Sequence, residues 1–132
     1  MTAAPCPCGL PAAYAACCGR WHAGPLHLQA PDAQALMRSR YTAFVLELAE
    51  YLRETWHAST RPAEAIGFDT GVRWLGLEVR RFETQGTEHA TVEFVARSKH
   101  AGRATRLHET SRFVRENGRW FYVDGKVSGV AG

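Results

Sequence analysis

The sequence has no cysteine after residue 18, only two lysines, no uninterrupted basic run and no apolar stretch long enough to cross a bilayer. The last absence argues against a membrane-spanning helix. The opening Met-Thr-Ala-Ala-Pro-Cys has neither a positive n-region nor an apolar h-region, so no secretory signal is expected. Arg80-Arg81 lies too far along to be a twin-arginine signal. The expected location is therefore cytoplasmic, with no membrane insertion. No nucleophile elbow, phosphate loop or HExxH helix is found, and no repeat or low-complexity tract. These gaps remove the usual sequence grounds for naming an enzyme.

Basic residues are few and scattered. Residues 73–132 carry eleven Lys/Arg against seven Asp/Glu, and residues 1–72 five against six. Fourteen of the sixteen basic residues are arginine, which genomic codon bias explains most simply. A basic face meeting an acidic partner or a phosphate backbone is the sharper reading. With acids interspersed throughout, nucleic-acid binding stays a minor reading. At 132 residues, 45% hydrophobic and 22% charged, the chain is the size and composition of one globular domain.

The cysteines that are present crowd into one short segment: Cys6, Cys8, Cys17 and Cys18. Four thiolates this close match one tetrahedral Zn2+. With every position filled by protein, such an ion is structural, because nothing is left for water or substrate. Disulfides are the competing reading. Bridging the neighbours Cys17 and Cys18, or spanning only Pro7, strains the bond geometry, although crossed pairings remain open. A reducing compartment favours metal. The segment also needs help to order. Residues 1–20 contain Leu10 and Tyr14 and otherwise mostly Ala, Pro, Cys and Gly, too little apolar surface to offset chain entropy. Zinc can supply on the order of 10 kcal/mol in small peptides. Gly9 allows a turn, and Ala12 to Ala16 form a helix-prone stretch that can present Cys17 and Cys18.

Residues 21–31, rich in turn formers at Gly24, Pro25 and Pro31, read as a connector. Asp32 is an N-cap for a helix from Ala33 to about Trp56. Its apolar stripe runs through Met37, Tyr41, Phe44, Leu48 and Tyr51. A short second helix is expected after Pro62, through Ala63 to Ile66, ending at Gly67. Strand alternation follows at Leu75, Leu77 and Val79, then at Val92, Phe94 and Ala96. A third strand covers about Thr105 to Arg115. Asn117-Gly118 marks a tight hairpin into a fourth strand, Arg119 to Asp124. The expected class is α+β: a long helix, a short helix and a curved four-stranded antiparallel sheet, with a small N-terminal zinc knob.

Cys6-Pro7-Cys8-Gly9 through Cys17-Cys18-Gly19, with an aromatic at Tyr14, resembles the SEC-C zinc motif first recognised at the tail of the bacterial protein-export motor. The lysines that there meet a chaperone partner or lipid are replaced here by alanines. The resemblance carries zinc over and gives no ground for that partner. The remainder resembles the YchJ-like bacterial family, in which this motif precedes a domain similar to nuclear transport factor 2. The residues carrying the match are Leu36 to Phe44, Thr55-Trp56-His57, Trp74 to Leu77, Val92 to Arg97, Glu109 to Phe113 and Trp120 to Gly125. The resemblance implies a zinc motif at 1–20, a connector at 21–31 and a cone-shaped domain at 32–132 whose sheet and helix enclose a pocket. That fold hosts isomerases, hydrolases and binding domains alike, so it does not choose an activity.

A ligand pocket would draw on Arg40 and Tyr41 on the helix, Trp56 and His57 at its end, and Asp124 on the fourth strand. His108, Glu109 and Arg112 are further candidates. By alternation His108 and Arg112 share one face and Glu109 and Ser111 the other. Some have plainer readings: an ion pair or a helix-surface charge for Arg40, a helix-end histidine for His57, a turn for Asp124 and core packing for the tryptophans. No catalytic set converges. The expectation is a non-catalytic zinc-binding module that meets a protein partner through its knob and a small ligand or a second copy (a homodimer) through its cone. The alternative is a small isomerase- or hydrolase-like enzyme using Tyr41 and Arg40 with His57 or Asp124.

Overall fold

The computed structural model describes residues 4–131. After a single 3-10 turn at Tyr14–Ala16, three helices precede the sheet: α1 (Gly19–His22), α2 (Ala33–Leu46) and α3 (Ala49–Glu54). Four strands follow, β1 (Arg73–Gln85), β2 (His89–His100), β3 (Arg103–Glu116) and β4 (Arg119–Ala131). They form one antiparallel meander in the order β1-β2-β3-β4. Register shifts interrupt the β1–β2 and β3–β4 ladders, two in each. Bulges of this kind bend strands and raise their twist. They curl the sheet around α2. The α+β class and the curved four-stranded sheet are as the sequence predicts, and so is the Asn117-Gly118 turn, both of whose residues have positive φ.

The helices differ from the sequence reading. The stretch from Ala33 to Trp56 is broken in two. Glu47 adopts the left-handed conformation, φ 56° and ψ 49°. Its N–H reaches the Phe44 carbonyl at 3.3 Å, and the Leu48 N–H reaches the Ala43 carbonyl at 2.8 Å. This pair of bonds is a Schellman motif, which satisfies the last carbonyls of a helix and stops it. Glycine usually occupies the left-handed position. A glutamate there carries no stop signal, and the apolar spacing from Phe44 to Leu48 to Tyr51 runs through the break undisturbed.

The helix expected after Pro62 does not form. Arg53 Nη1 donates to the carbonyls of Pro62 and Glu64, at 2.9 and 3.2 Å. Those carbonyls are the ones a helical turn there would need as acceptors. β4 also runs past Asp124 to Ala131, because Gly125, Lys126 and Val127 pair with Ser111, Thr110 and Glu109.

Helix α2 lies on the concave face of the sheet, with Leu36, Val92 and Phe113 almost fully buried between them. Leu52 of α3 is likewise sealed. Residues 21–31 are tied in as well: Trp21 and Ala30 are buried and Leu28 N–H donates to the Trp21 carbonyl. Asp32 caps α2 as expected, its Oδ1 accepting from Ala35 N–H at 2.7 Å.

Position 47 tests the broken helix. A left-handed non-glycine residue costs roughly 1 kcal/mol. Glu47→Gly should therefore stabilise the protein by about 0.5–1 kcal/mol, and Glu47→Val should destabilise it by more. Urea denaturation midpoints measure both. A continuous helix through 47 would give the opposite sign for glycine.

Candidate functional site

Two places concentrate chemistry, on opposite sides of α2. The first is the cysteine segment. Cys6 N–H bonds the Ala12 carbonyl, and Gly9 N–H bonds the Cys6 carbonyl, closing a tight loop around Cys8. Gly9 sits at φ 98°, and a Cβ there would press to 3.3 Å of the Leu77 carbonyl of β1. Both the turn and the close seat on the sheet call for glycine. Cys17 ends the 3-10 turn, and Cys18 accepts from Trp21 N–H at the start of α1.

The four sulfur atoms all lie within 4.8 Å of one another, and all four residues are buried. A tetrahedron with metal–sulfur bonds of about 2.3 Å has edges of about 3.8 Å. Cys8 and Cys17 are 3.6 Å apart at sulfur. The four cysteines can therefore hold one metal ion, with no coordination position left for substrate.

The charge environment fits that role. Hydrogen bonding from Cys18, aided by Leu10 N–H, Cys17 and Cys6 and opposed by burial, draws the Cys8 thiol down to about 5. Burial and the neighbouring Cys8 push Cys17 up to about 11. The bond to Cys8 and burial push Cys18 upward too. One thiolate is thus solvated by protonated neighbours, and a four-thiolate ion would displace protons from at least Cys17 and Cys18. Two guanidinium groups flank the cluster. Arg38 Nη1 donates to the Cys8 carbonyl at 2.8 Å and Arg20 Nε to the Cys17 carbonyl at 3.0 Å. Among the described residues Arg38 Nε is buried with no hydrogen-bond partner, leaving positive charge beside sulfurs that would carry net negative charge once metal is bound.

Helix α2 supplies the second layer of contacts. Thr42, fully buried, donates its hydroxyl to Cys18 Sγ at 3.4 Å and lies 3.8 Å from Cys6 Sγ. His22 on α1 bonds the Ser39 carbonyl through Nε2 at 2.8 Å and the Tyr14 hydroxyl through Nδ1 at 2.7 Å. The carbonyl can only accept, so Nε2 carries the proton and Nδ1 accepts from Tyr14. Ser39 Oγ in turn meets the Tyr51 hydroxyl at 2.7 Å. Burial lowers the His22 pKa, which keeps the ring neutral. Of these groups, His22, Ser39 and Thr42 did not stand out in the sequence. Their signal is a second α2 face, Ala35, Arg38, Ser39 and Thr42, at helical spacing and mostly uncharged.

The second place is a cavity of about 200 Å³ between α2 and the sheet. Met37, Arg40, Tyr41 and Phe44 wall it from α2, Trp56 and Trp74 from either end. Phe94, Ala96, Leu107, Glu109, Ser111 and Tyr122 form the sheet side. Of the residues expected in a pocket, Arg40, Tyr41 and Trp56 come together here. His57 and Asp124 do not. His57 faces outward, with Nε2 2.8 Å from Glu116 and Nδ1 2.7 Å from Ser59. Asp124 takes a two-pronged bond from Arg112, both contacts 2.6 Å, on the outer face of the sheet. That pairing lowers the Asp124 pKa and raises that of Arg112. His108 also points outward, to Glu93 at 2.6 Å. Glu109 and Ser111 share the inner face as alternation predicts. Ser111 Oγ donates to Glu109 Oε2 at 2.7 Å.

Arg40 is 4% exposed. Its Nη1 bonds the Leu52 carbonyl at 2.8 Å and Thr55 Oγ1 at 2.6 Å, capping the C-terminus of α3, where a cation is favoured. The guanidinium carbon lies 4.4 Å from the Tyr122 ring centre and 5.4 Å from that of Trp56. Burial lowers its pKa to about 10, against the opposing pull of Tyr122, Tyr51 and Glu109, so it stays charged at neutral pH. Burial raises Tyr41 to about 12.

Residues 32–125 match the family model described as YchJ, middle NTF2-like domain. The chain belongs to that family. A UPF0225 protein of Bordetella parapertussis is 62% identical over 124 residues, covering 94% of this chain and 93% of its own length. One from Methylibium petroleiphilum is 64% identical over 123 residues, covering 93% and 88%. Among solved structures, a SEC-C motif containing protein from Rhodopseudomonas palustris superposes with a TM-score of 0.81 at 31% identity, over 95% of this chain and 99% of its own. Another from Psychrobacter arcticus gives 0.75 at 28% identity, over 100% and 86%. Among the described residues no helix is long and apolar enough to cross a membrane.

Two tests follow from the contacts of α2 and α1. Thr42→Val removes the hydroxyl at constant shape. It should weaken metal binding by roughly 10- to 100-fold, with Thr42→Ser close to wild type. Competition against a chromophoric chelator reads both, and unchanged affinity in the valine variant would refute the role of the hydroxyl. For His22, the folded pKa is depressed. Its contribution is therefore present above the unfolded value of about 6.5 and is lost as pH falls through the folded value. The stability advantage of wild type over His22→Gln, from urea melts of metal-loaded protein, should be largest near pH 8 and shrink below 6.5.

Proposed function

We propose that this chain is a non-catalytic binding protein whose N-terminal segment is ordered by one structural zinc ion. The observation that carries the reading is the closed cluster of four buried sulfurs, all within 4.8 Å. Four thiolates in tetrahedral array select zinc among the common cellular divalent ions, and a site filled entirely by protein does no Lewis-acid chemistry on substrate. Bound there, zinc supplies cross-linking free energy to a segment with little apolar surface of its own.

The cavity supports binding over catalysis. Among the described residues no histidine lines it. The Ser111 hydroxyl is spent on Glu109, and Arg40 Nη1 on the end of α3. The enzymatic alternative needs His57 or Asp124 beside Tyr41 and Arg40. Both are held outside by Glu116 and Arg112.

The test is metal content and thiol reactivity on protein purified without chelator or affinity metal. One zinc per chain is expected, with thiols that react only after chelation. Two disulfides and no metal would overturn the reading. Chelation should also erase amide-exchange protection at Cys6, Cys17 and Leu28 while Val92 and Phe113 in the sheet keep theirs. Loss of protection everywhere at once would mean that the metal holds the whole fold rather than one segment.

A further inference from the structure

We propose that the cavity between α2 and the sheet binds a small, uncharged, planar heteroaromatic molecule with a hydrogen-bond acceptor and donor on its edge, of the size and type of nicotinamide or a pyrimidine base. This deepens the binding reading above and rests on it. Three observations carry it.

The first is the wall. Six of the twelve lining residues are aromatic: Tyr41, Phe44, Trp56, Trp74, Phe94 and Tyr122. Rings favour flat partners, through offset or edge-on contacts. The second is size. Pockets for drug-sized ligands occupy about 300–1,000 Å³, whereas a buried cavity of about 150 Å³ already takes benzene. At about 200 Å³ this one admits a single substituted ring.

The third is charge. The cavity holds one guanidinium, Arg40, and one carboxyl group, Glu109. Among the described residues they form no ion pair with each other or with another side chain within 4 Å. Trp56 and Tyr122 cover the guanidinium, and Arg40 Nη1 is engaged with α3. Among the described residues Glu109 has the Ser111 hydroxyl as its side-chain partner. Its carboxyl group lies where a side chain on Gly125 would sit, so the glycine leaves it room. A lone anion on the ligand would meet Glu109, and a lone cation would meet Arg40. A neutral amide edge offers its carbonyl to the guanidinium and its N–H to the carboxylate, and it leaves neither charge opposed. A site built on such groups rejects analogues that lack them by more than hydrophobic contact alone does.

The experiment uses the full-length, metal-loaded protein and four probes of one-ring size: nicotinamide, benzoate, benzylamine and toluene. Titration is followed by calorimetry and by amide shifts. Nicotinamide should bind saturably and at least tenfold tighter than the other three, with shifts at Ala96, Ser111 and Tyr122. Ala96→Leu should abolish that binding. Glu109→Gln should weaken nicotinamide about tenfold and strengthen benzoate, because it leaves Arg40 unopposed. Arg40 itself is left alone because it caps α3. Best binding by benzoate or benzylamine in wild type overturns the ligand class and leaves the binding reading standing. Toluene equal to nicotinamide shows that Arg40 and Glu109 select nothing, which also overturns it. If no probe binds and Ala96→Leu raises the melting temperature, the cavity is a packing defect, and both this proposal and the binding reading for the cone fail. Zinc content, measured separately, is untouched by any of these outcomes.

Discussion

Helix α2 is packed on both sides, and the rest of the molecule depends on that. Met37 faces the cavity on the sheet side, while Thr42 and the Ser39 carbonyl face the N-terminal segment. A helix with one apolar stripe needs a single partner surface. This one has two, and the second is polar. Buried hydroxyls and carbonyls are tolerated only where each finds a partner. The partners come from residues 14–22 and the cysteines. The segment with little apolar surface of its own is thus also the surface that covers the polar side of α2. A metal that orders the cysteines would in the same step satisfy Thr42 and the Ser39 carbonyl.

Arg40 is the most expensive group in this arrangement. Removing a guanidinium from water is costly unless nearby dipoles and rings compensate. Here the compensation is the end of α3: the Leu52 carbonyl, the Thr55 hydroxyl and the faces of Trp56 and Tyr122. The break at Glu47 makes this possible. Were α2 and α3 one continuous rod, the carbonyl of Leu52 would lie twelve residues along from Arg40, about 18 Å away by helical rise. The Schellman turn folds α3 back so that its C-terminus reaches the arginine, and Tyr122 N–H then bonds the Thr55 carbonyl to join that corner to β4.

This geometry also explains what the sequence could and could not reveal. The cysteine cluster was legible because its four members are local, so spacing alone carried it. The strands were legible because alternation survives in one dimension, and Asn117-Gly118 announced its turn. The helix break was not, since Glu47 holds a conformation usually given to glycine. The outward positions of His57 and Asp124 were hidden because their partners, Glu116 and Arg112, are distant in sequence. Glu109 and Ser111 could be placed on one face, but nothing local said that this face was the inner one. Tyr122 was masked within a run, Trp120 to Val123, that is apolar on both faces.

The two sites share a helix in alternating residues. Arg38, Ser39 and Thr42 touch the cysteine segment, while Met37, Arg40, Tyr41 and Phe44 wall the cavity. No separate pathway is needed for one to influence the other. Close-packed interiors transmit small displacements because they have little free volume to absorb them. Rotation of α2 that improved the fit of Thr42 to the sulfurs would move Arg40 relative to Glu109. The His22–Ser39–Tyr51 chain, which joins α1, α2 and α3 in consecutive bonds of 2.7 to 2.8 Å, resists such rotation. The cysteine segment is therefore packed against the same helix that walls the cavity.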